Sequence, residues 1–300
     1  MKILSIIICT HNRSKLLMEC VNSLIKQNTE NVEIIIIDNN SSDETAKISQ
    51  EYTINYPNIR YALETKVGLS HARNRGIQEA KSDWLLYLDD DAIAFPDLVE
   101  KALYLVGRGD FDCVGGMYYA KFENTKPDWL PDNYGDYIFN ENEIFECNPE
   151  LPHGCVVMYN KTRIEKLNGF NKNYGMKGNK TAYGEETELQ MRIKGDGGKI
   201  GLDPKLLAYH YVRNDQIKLV WHLNSIYAYG RDGNSIYNYS ITQLIFLNLK
   251  SIAGLFRRIS FNTNKLLTIN NYYWQNFVID SIMPNILLFG KLIGWIKKRI

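Results

Sequence analysis

The most constraining stretch of the sequence is residues 84–91, where five mostly apolar residues run directly into Asp89, Asp90 and Asp91. The apolar part is typical of a strand buried on both faces of a parallel sheet. Ligands of open α/β sheets bind outside the carboxyl ends of such strands. Three close carboxylates repel one another unless a cation neutralises them. The stretch therefore predicts a Mg²⁺ or Mn²⁺ site, with a solvated acidic loop or a helix N-cap as the alternative.

Three further apolar runs precede this one and predict strands at residues 3–9, 32–37 and 58–63. Helical patterns begin near Ser14, Glu44 and Gly68 and lie between the strands. This β-α-β-α-β-α-β order, joined by right-handed crossovers, predicts a mostly parallel, doubly wound α/β sheet. Three hundred residues, 45% of them hydrophobic, suffice for one large α/β domain with an extension.

Polar residues follow each predicted strand, so we expect them to converge on one edge of the sheet. Asp38 can accept a hydrogen bond from a base or ribose, or it can cap a turn. Arg73 lies near a helix start, where its charge and the helix dipole favour a diphosphate; a surface arginine is the alternative. No GxGxxG follows the first strand and no GxxxxGK[ST] occurs, which excludes a dehydrogenase and a P-loop enzyme.

The second half of the chain contributes further candidates. Strands are predicted at residues 114–118 and 154–159, and a later segment, residues 202–210, ends at His210. A long loop at residues 121–148 carries Trp129, which either shapes a cleft or packs over the core. Glu185 and Glu186 precede a helix, where they either complement the helix dipole or supply a general base.

Taken in order, these motifs resemble the inverting GT-A-fold glycosyltransferases of glycosyltransferase family 2, over about residues 3–210. The resemblance rests on six signals in the order of that family: residues 10–13, 38–41, 72–74 before the three aspartates, Gly169-Phe170, 184–189, and the segment from Pro204 to His210. It implies that Asp91 binds a metal ion (Mn²⁺ or Mg²⁺) and that His210 completes the metal or diphosphate site. It also implies that Glu186 is the catalytic base, at a position where the family commonly has aspartate; Glu185 is the alternative.

The resemblance further implies a nucleotide site in which Asp38 faces the base and Asp90 lies near the ribose. The full set of residues expected to bind the nucleotide is Thr10, Asn12, Arg13, Asp38, Asn40, Arg73, Asp89 and Asp90. Residues expected to contact donor or acceptor are Gly115, Gly116, Trp129 and Gly154, the first two because glycines leave room for the donor sugar.

The last 90 residues differ in character, with 11 Lys/Arg against 3 Asp/Glu. This basic, apolar tail indicates an anionic surface rather than nucleic acid as its partner. Residues 282–296 predict a helix lying in a membrane interface, or alternatively a helical cap or dimer contact. The glycines at residues 230 and 233 predict a helix break, and no stretch of 18 uninterrupted apolar residues suggests a membrane span. Five cysteines without a CxxC pair predict buried thiols in a reducing compartment.

We therefore expect a catalytic domain at residues 1–212, with a nucleotide-binding half (1–110) and an acceptor-binding half (111–212), followed by a helical extension at 213–300. The expected activity is metal-dependent, inverting transfer from a nucleotide sugar, with UDP as the nucleotide typical of the fold, to a glycan or lipid-linked hydroxyl. The expected location is cytoplasmic or peripheral on the membrane. The alternatives are a sugar-nucleotide nucleotidyltransferase and a catalytically silent, membrane-associated module.

Overall fold

The computed structural model describes residues 3–147, 151–178, 180–237 and 239–299, with backbone alone for 234–237. The chain divides into two units. The first consists of Met1–Lys121, Gly135–Gly178 and Glu185–Tyr211, and the second of Phe122–Tyr134, Asn179–Gly184 and Val212–Ile300.

The first unit is built around one nine-stranded sheet. Its strands are β1 (Leu4–Thr10), β2 (Val32–Asp38), β3 (Ile59–Leu63), β4 (Trp84–Leu88), β5 (Ala92–Ala94), β6 (Cys113–Phe122), β7 (Phe145–Glu146), β8 (Val156–Asn160) and β9 (Ile200–Val212). Its helices are α1 (Ser14–Ile25), α2 (Thr45–Asn55), α3 (Leu69–Glu79), α4 (Leu98–Arg108), α5 (Lys161–Lys166) and α6 (Glu185–Gly195). The predicted α/β alternation is confirmed.

The sheet is parallel in one half and antiparallel in the other. The order is β3-β2-β1-β4-β8-β6-β9-β5, with β7 on β9. The first four strands pair in parallel, as expected of crossovers through helices. Strand β8 pairs antiparallel to β4, and β6 pairs antiparallel to β8. The parallel part is therefore confined to the half of the sheet that carries the first three strand-end loops.

Side chains of the central strands alternate between two hydrophobic layers. Ile6 and Ile8 of β1 belong to one cluster together with Leu17 of α1, while Ile7 belongs to the other together with Phe170. This period of two is the pattern of a strand covered on both faces. Four of the five predicted buried thiols are buried and Cys9 is half-buried; the five cysteines are thiols rather than disulfides. Helix α5 is followed by Gly169 in the left-handed region, with a φ of 65°, a common way for a helix to end.

The described residues of the second unit form the helices α7 (Leu219–Tyr237), α8 (Ile241–Ala253), α9 (Leu255–Thr268) and α10 (Trp274–Lys297). Helix α10 packs against the other three. The expected break at Gly230 is wrong, because α7 continues through it. A Cβ at Gly230 would collide with the Leu287 carbonyl of α10, so this glycine allows two helices to approach closely.

The expectation that no segment qualifies as a membrane span is also wrong. By length and composition alone, Trp274–Lys297 is long and apolar enough to cross a bilayer, and 17% of its apolar window is buried. The sequence analysis missed it because it required an uninterrupted apolar run, whereas this helix tolerates isolated polar residues such as Asp280.

Candidate active site

Strand register brings the predicted polar loops to one edge of the sheet. Thr10 at the end of β1 lies opposite Asp38 at the end of β2. The Asn39 side chain then ties the loop after β2 to the loop after β3: its amide donates to the carbonyls of Glu64 (3.2 Å) and Lys66 (2.8 Å), and its oxygen accepts from the Gly68 N–H (2.7 Å). Asn39 was part of the sequence motif but received no role there. Asn39 therefore stabilises the loops at this edge of the sheet.

Asp89, Asp91 and His210 form a cluster that can hold a metal ion. One ligand atom from each lies within 4.8 Å of the others, and His210 Nε2 is 3.3 Å from Asp91 Oδ1. The cluster forms because β5 pairs with β9 so that Ala92 lies opposite His210. Two carboxylates and one imidazole suit Mn²⁺, and the carboxylates also suit Mg²⁺. The sequence had assigned Asp91 and His210 to the metal but Asp89 to the nucleotide.

Without a cation this cluster carries an electrostatic cost. Burial, with the charges of Asp91 and Glu186 in addition, raises the pKa of Asp89 to about 8, against the opposing effects of Arg73 and His210. The side chain of Asp89 is partly exposed, so water screens part of this effect. A divalent ion would remove the repulsion, because it lowers the energy of the ionised carboxylates.

Asp90 points to different partners from its neighbours. Its carboxylate accepts a hydrogen bond from Arg13 Nη1 at 2.9 Å, and the same nitrogen lies 3.1 Å from Asp91. Burial raises the pKa of Asp90, while Arg13 and the Thr10 hydroxyl oppose the shift. Thr10, Arg13 and Asp90 therefore form one polar group beside the metal cluster, at the carboxyl ends of β1 and β4.

Arg73 joins this acidic edge to the second acidic pair. The guanidinium is buried, and its Nη2 lies 2.5 Å from Glu186 and 3.5 Å from Asp89, while Nη1 lies 2.9 Å from Glu185. Burial alone would lower the pKa of Arg73, but the charges of Glu186, Glu185 and Asp89 outweigh it and raise the pKa. Arg73 was expected at a diphosphate; the structure places it between two sets of carboxylates.

Two aromatic residues pack against the Arg73 guanidinium. The guanidinium lies over the rings of Tyr87 (5.9 Å) and Phe170 (5.4 Å), and the Tyr87 hydroxyl donates to the Arg73 carbonyl at 2.9 Å. Tyr87 and Phe170 meet edge to face. Cation–π contacts of this kind strengthen when water is excluded. The two aromatic rings and the surrounding carboxylates therefore hold Arg73 in position together.

The two glutamates differ in access. The side chain of Glu185 is 8% exposed and that of Glu186 is 18% exposed. Burial, with the charge of Glu186 in addition, raises the pKa of Glu185 to about 7 against the effect of Arg73. Both acids lie in the first turn of α6, where a carboxylate also complements the helix dipole. Glu186 is therefore the more accessible acid.

Gly154 supplies the space that the Glu186 carboxylate occupies. A Cβ at this position would collide with both carboxylate oxygens of Glu186. Gly154 lies just before β8, which pairs with β4, and the Asp89 N–H donates to the Cys155 carbonyl at 3.1 Å. The antiparallel pairing of β8 with β4 thus brings Gly154 close to the three aspartates.

The remaining nucleotide-site candidates lie in the loops after β1 and β2. Asp38 accepts from the Ser41 N–H (2.8 Å) and the Tyr61 hydroxyl (3.0 Å), as in the turn-capping alternative. Asn12, with φ 54°, accepts from the Ser42 N–H at 2.7 Å. Asn40 is exposed in the left-handed region, at φ 62°.

Three candidates for donor or acceptor contact have other surroundings. A Cβ at Gly115 would collide with Pro152, and one at Gly116 with the Leu206 carbonyl. Protein atoms therefore fill the space that was expected to receive a sugar, and these glycines permit close packing of β6. Trp129 belongs to the second unit, where it is buried with its ring 5.0 Å from that of His222. The alternative that Trp129 packs over a core matches this position.

Comparison with known proteins decides the family. The family model described as "Glycosyl transferase family 2" matches residues 5–167. The chain belongs to glycosyl transferase family 2. The match covers the strands and loops that carry Thr10, Asp38 and Asp89, and it ends before α6.

Two glycosyltransferases match over part of the same region. Glycosyltransferase GlyG of Streptococcus pneumoniae is 32% identical over 119 residues, which are 39% of this chain and 40% of that protein. The uncharacterised glycosyltransferase YibD of Escherichia coli is 35% identical over 126 residues, 42% of this chain and 37% of that protein. The matched segment thus spans about two fifths of the length of these relatives.

A solved structure extends the likeness in fold. A mannosyltransferase from Pyrobaculum calidifontis, PcManGT, in complex with GDP-Man and Mn²⁺, superposes with a TM-score of 0.64 at 14% identity and covers 94% of this chain and 86% of its own. At this identity the likeness concerns the fold. It confirms the GT-A-like architecture with a helical C-terminal region.

Proposed function

We propose that this chain is an inverting glycosyltransferase that moves a sugar from a nucleoside diphosphate to a hydroxyl group of a glycan or lipid-linked acceptor. The observation that carries the proposal is the position of Arg73, whose Nη2 contacts Asp89 on one side and Glu186 on the other. The carboxylates on the Asp89 side are suited to a cation and its diphosphate. The carboxylate of Glu186 is suited to the incoming hydroxyl group of the acceptor. We assign the catalytic role to residues 1–212.

The metal cluster serves the leaving group in this proposal. Asp89, Asp91 and His210 would hold Mn²⁺ or Mg²⁺, and such an ion, when bound, stabilises the negative charge that develops on a departing diphosphate. Arg13 adds positive charge beside the same edge through its contacts with Asp90 and Asp91. Asp38 and the loop of Asn12 and Asn40 would bind the nucleoside.

Glu186 serves the nucleophile. The acceptor hydroxyl must lose its proton as it attacks the anomeric carbon, and a carboxylate within hydrogen-bond reach can take that proton. Attack opposite the diphosphate inverts the anomeric centre. Arg73 orients the Glu186 carboxylate, and Glu185 holds Arg73 from the buried side through its contact with Nη1. Arg73 is in this proposal a positioning residue.

A donor screen tests the proposed function. UDP-, GDP- and dTDP-sugars are incubated with the protein in Mn²⁺, in Mg²⁺ and in a chelator, and release of the nucleoside diphosphate is measured. UDP is typical of the fold, and GDP is included because the structural neighbour PcManGT is a GDP-Man complex. We expect diphosphate release from one sugar nucleotide, with loss of the signal in the chelator. Formation of sugar nucleotide from a triphosphate and a sugar phosphate would instead favour a nucleotidyltransferase.

Substitution of Gly154 by alanine tests the space behind Glu186. The new methyl group would displace the carboxylate, and a shift of about 1 Å at a catalytic group lowers turnover by about 100-fold. We expect that loss in steady-state kinetics with little change in unfolding temperature, since the displaced atoms end a flexible side chain. Gly107→Ala on α4 is the matched control, because nothing lies within 4 Å of its Cβ position. Full activity of Gly154→Ala would contradict the assignment.

A further inference from the structure

The helices α8 and α9 present large apolar side chains to the outside. On α8, Phe246 is 65% exposed, and Leu249 and Ile252, three and six residues further on, are also exposed. On α9, Phe256 is 82% exposed and Leu267 is 80% exposed. We call these five side chains the outer face. An exposed apolar patch of this kind in a soluble protein usually marks an interaction site.

The buried residues of the same helices are Leu244 and two polar residues, Ser251 and Asn262. Arg258 donates from Nε to the Ser281 carbonyl (3.0 Å) and from Nη2 to the Ser251 carbonyl (2.8 Å) and Asn285 (2.5 Å). The buried Asn262 donates to the Ser281 hydroxyl at 3.1 Å. Polar residues inside and aromatic or aliphatic residues outside reverse the usual pattern of a water-soluble bundle. This reversal favours an apolar medium against the outer face.

The charge on these helices identifies the kind of medium. Between residues 241 and 268 there are four basic residues and no acidic ones. Lys250 and Arg257 are exposed, beside the apolar side chains in sequence. Basic residues that accompany exposed apolar side chains on a helix are typical of segments that lie in the interface of an anionic membrane.

We propose that the outer face inserts into the interfacial layer of a membrane that contains anionic phospholipids, with Lys250 and Arg257 at the level of the headgroups. The sequence had suggested residues 282–296 for this role. Helix α10 packs against α7, α8 and α9, and Gly290 and Gly294 lie against backbone atoms of α7, yet most of its apolar window is not buried, so this proposal concerns α8 and α9 in addition to α10. The proposal is independent of the proposed catalytic function.

A second copy of the chain is the competing occupant of the outer face. In a symmetric dimer the same patch meets itself, so Lys250 and Arg257 of each copy would approach one another. Like charges across an interface oppose association, whereas phosphate headgroups neutralise them. Electrostatics therefore favour the lipid surface.

Vesicle flotation of the full chain tests this inference. The parent protein is mixed with phosphatidylcholine vesicles prepared with or without phosphatidylglycerol, and the bound fraction is measured. We expect binding to the anionic vesicles, and a reduction on the order of tenfold or more in the combined variant Phe246→Ser, Leu249→Ser and Phe256→Ser, because less apolar surface is buried. Replacing Lys250 and Arg257 by glutamine should weaken binding to anionic vesicles by about fivefold per residue.

Ile54→Ser is the matched control, since Ile54 is an equally exposed (82%) aliphatic residue on α2 of the first unit. It should bind vesicles as the parent does. Phe256→Trp gives a second readout that keeps the apolar surface. The fluorescence emission of the introduced tryptophan should shift to shorter wavelengths when anionic vesicles are present. Undiminished binding by the triple variant, or no shift for Phe256→Trp, overturns the proposal. Absence of vesicle binding together with a dimer that the triple variant dissociates would assign the outer face to a second copy.

Discussion

Glu186→Gln is expected to lower the turnover of sugar transfer by about 100- to 10,000-fold, the range that a general base contributes. The amide keeps the shape of the side chain, and its oxygen can still accept from Arg73 Nη2, which lies 2.5 Å from the carboxylate. The amide cannot take the proton of the acceptor hydroxyl. Binding of the nucleotide should therefore stay close to that of the parent protein, as measured by calorimetry with the nucleoside diphosphate.

Two further variants make this result specific. Glu188→Gln lies on the same helix, and it should keep turnover within about twofold because Glu188 pairs with Arg192 at 2.7 Å rather than with Arg73. Glu185→Gln separates the two candidate bases: a loss confined to this variant, with full turnover in Glu186→Gln, would transfer the role to Glu185. Undiminished turnover in both would reject a base at this position.

Asp91→Asn is expected to reduce the affinity for the metal and for the metal-dependent donor by at least about 100-fold. Loss of outer-shell partners alone costs 10- to 100-fold in metal affinity, and Asp91 offers a direct ligand atom next to His210. Titration calorimetry with Mn²⁺ and nucleoside diphosphate measures the change. The amide also removes one negative charge from a crowded edge, so the variant should fold.

The matched control for this prediction is Asp110→Asn. Asp110 is exposed and pairs with Arg108 at 2.6 Å, outside the metal cluster. Its substitution should leave Mn²⁺ and donor affinity unchanged. Equal affinity of Asp91→Asn and the parent protein would show that the ion, if required, is held elsewhere.

Much of the sheet could be predicted from the sequence, because burial on both faces leaves a direct mark on a strand. Residues 34–37 are four consecutive isoleucines, and every residue of β2 is buried. The polar residues at the ends of these strands then had to meet at one edge, since the strands are parallel. This reasoning brought Asp38 and Asp91 to the same edge of the sheet.

Contacts between distant segments could not be predicted in the same way. The pairing of Arg73 with Glu185 and Glu186 spans more than a hundred residues, and no local pattern specifies it. Asp89 and Asp90 are neighbours in sequence, yet one belongs to the metal cluster and the other to Arg13, because adjacent side chains diverge after a strand. Likewise, Gly115 and Gly116 signalled close approach, but sequence could not say that Pro152 and Leu206 were the groups approaching.

The helical extension illustrates a different limit. Apolar composition predicted a helical extension with a helix at residues 282–296, but it did not say which helices would pack closely against each other. That depends on glycines at 230, 290 and 294, each of which lets one backbone approach another. The same residue type that favours a break in an isolated helix here permits helix packing.

The collision between a Cβ at residue 154 and the Glu186 carboxylate links the identities of two positions far apart in the chain. Aspartate at position 186, which is common in this family, is one methylene shorter than glutamate. Its carboxylate oxygens would lie farther from residue 154 and leave space for a Cβ there. Evolution can therefore lengthen the acid only where the facing residue lacks a side chain. Among homologues we expect these positions to covary, and shortening Glu186 to aspartate should partly compensate for alanine at residue 154.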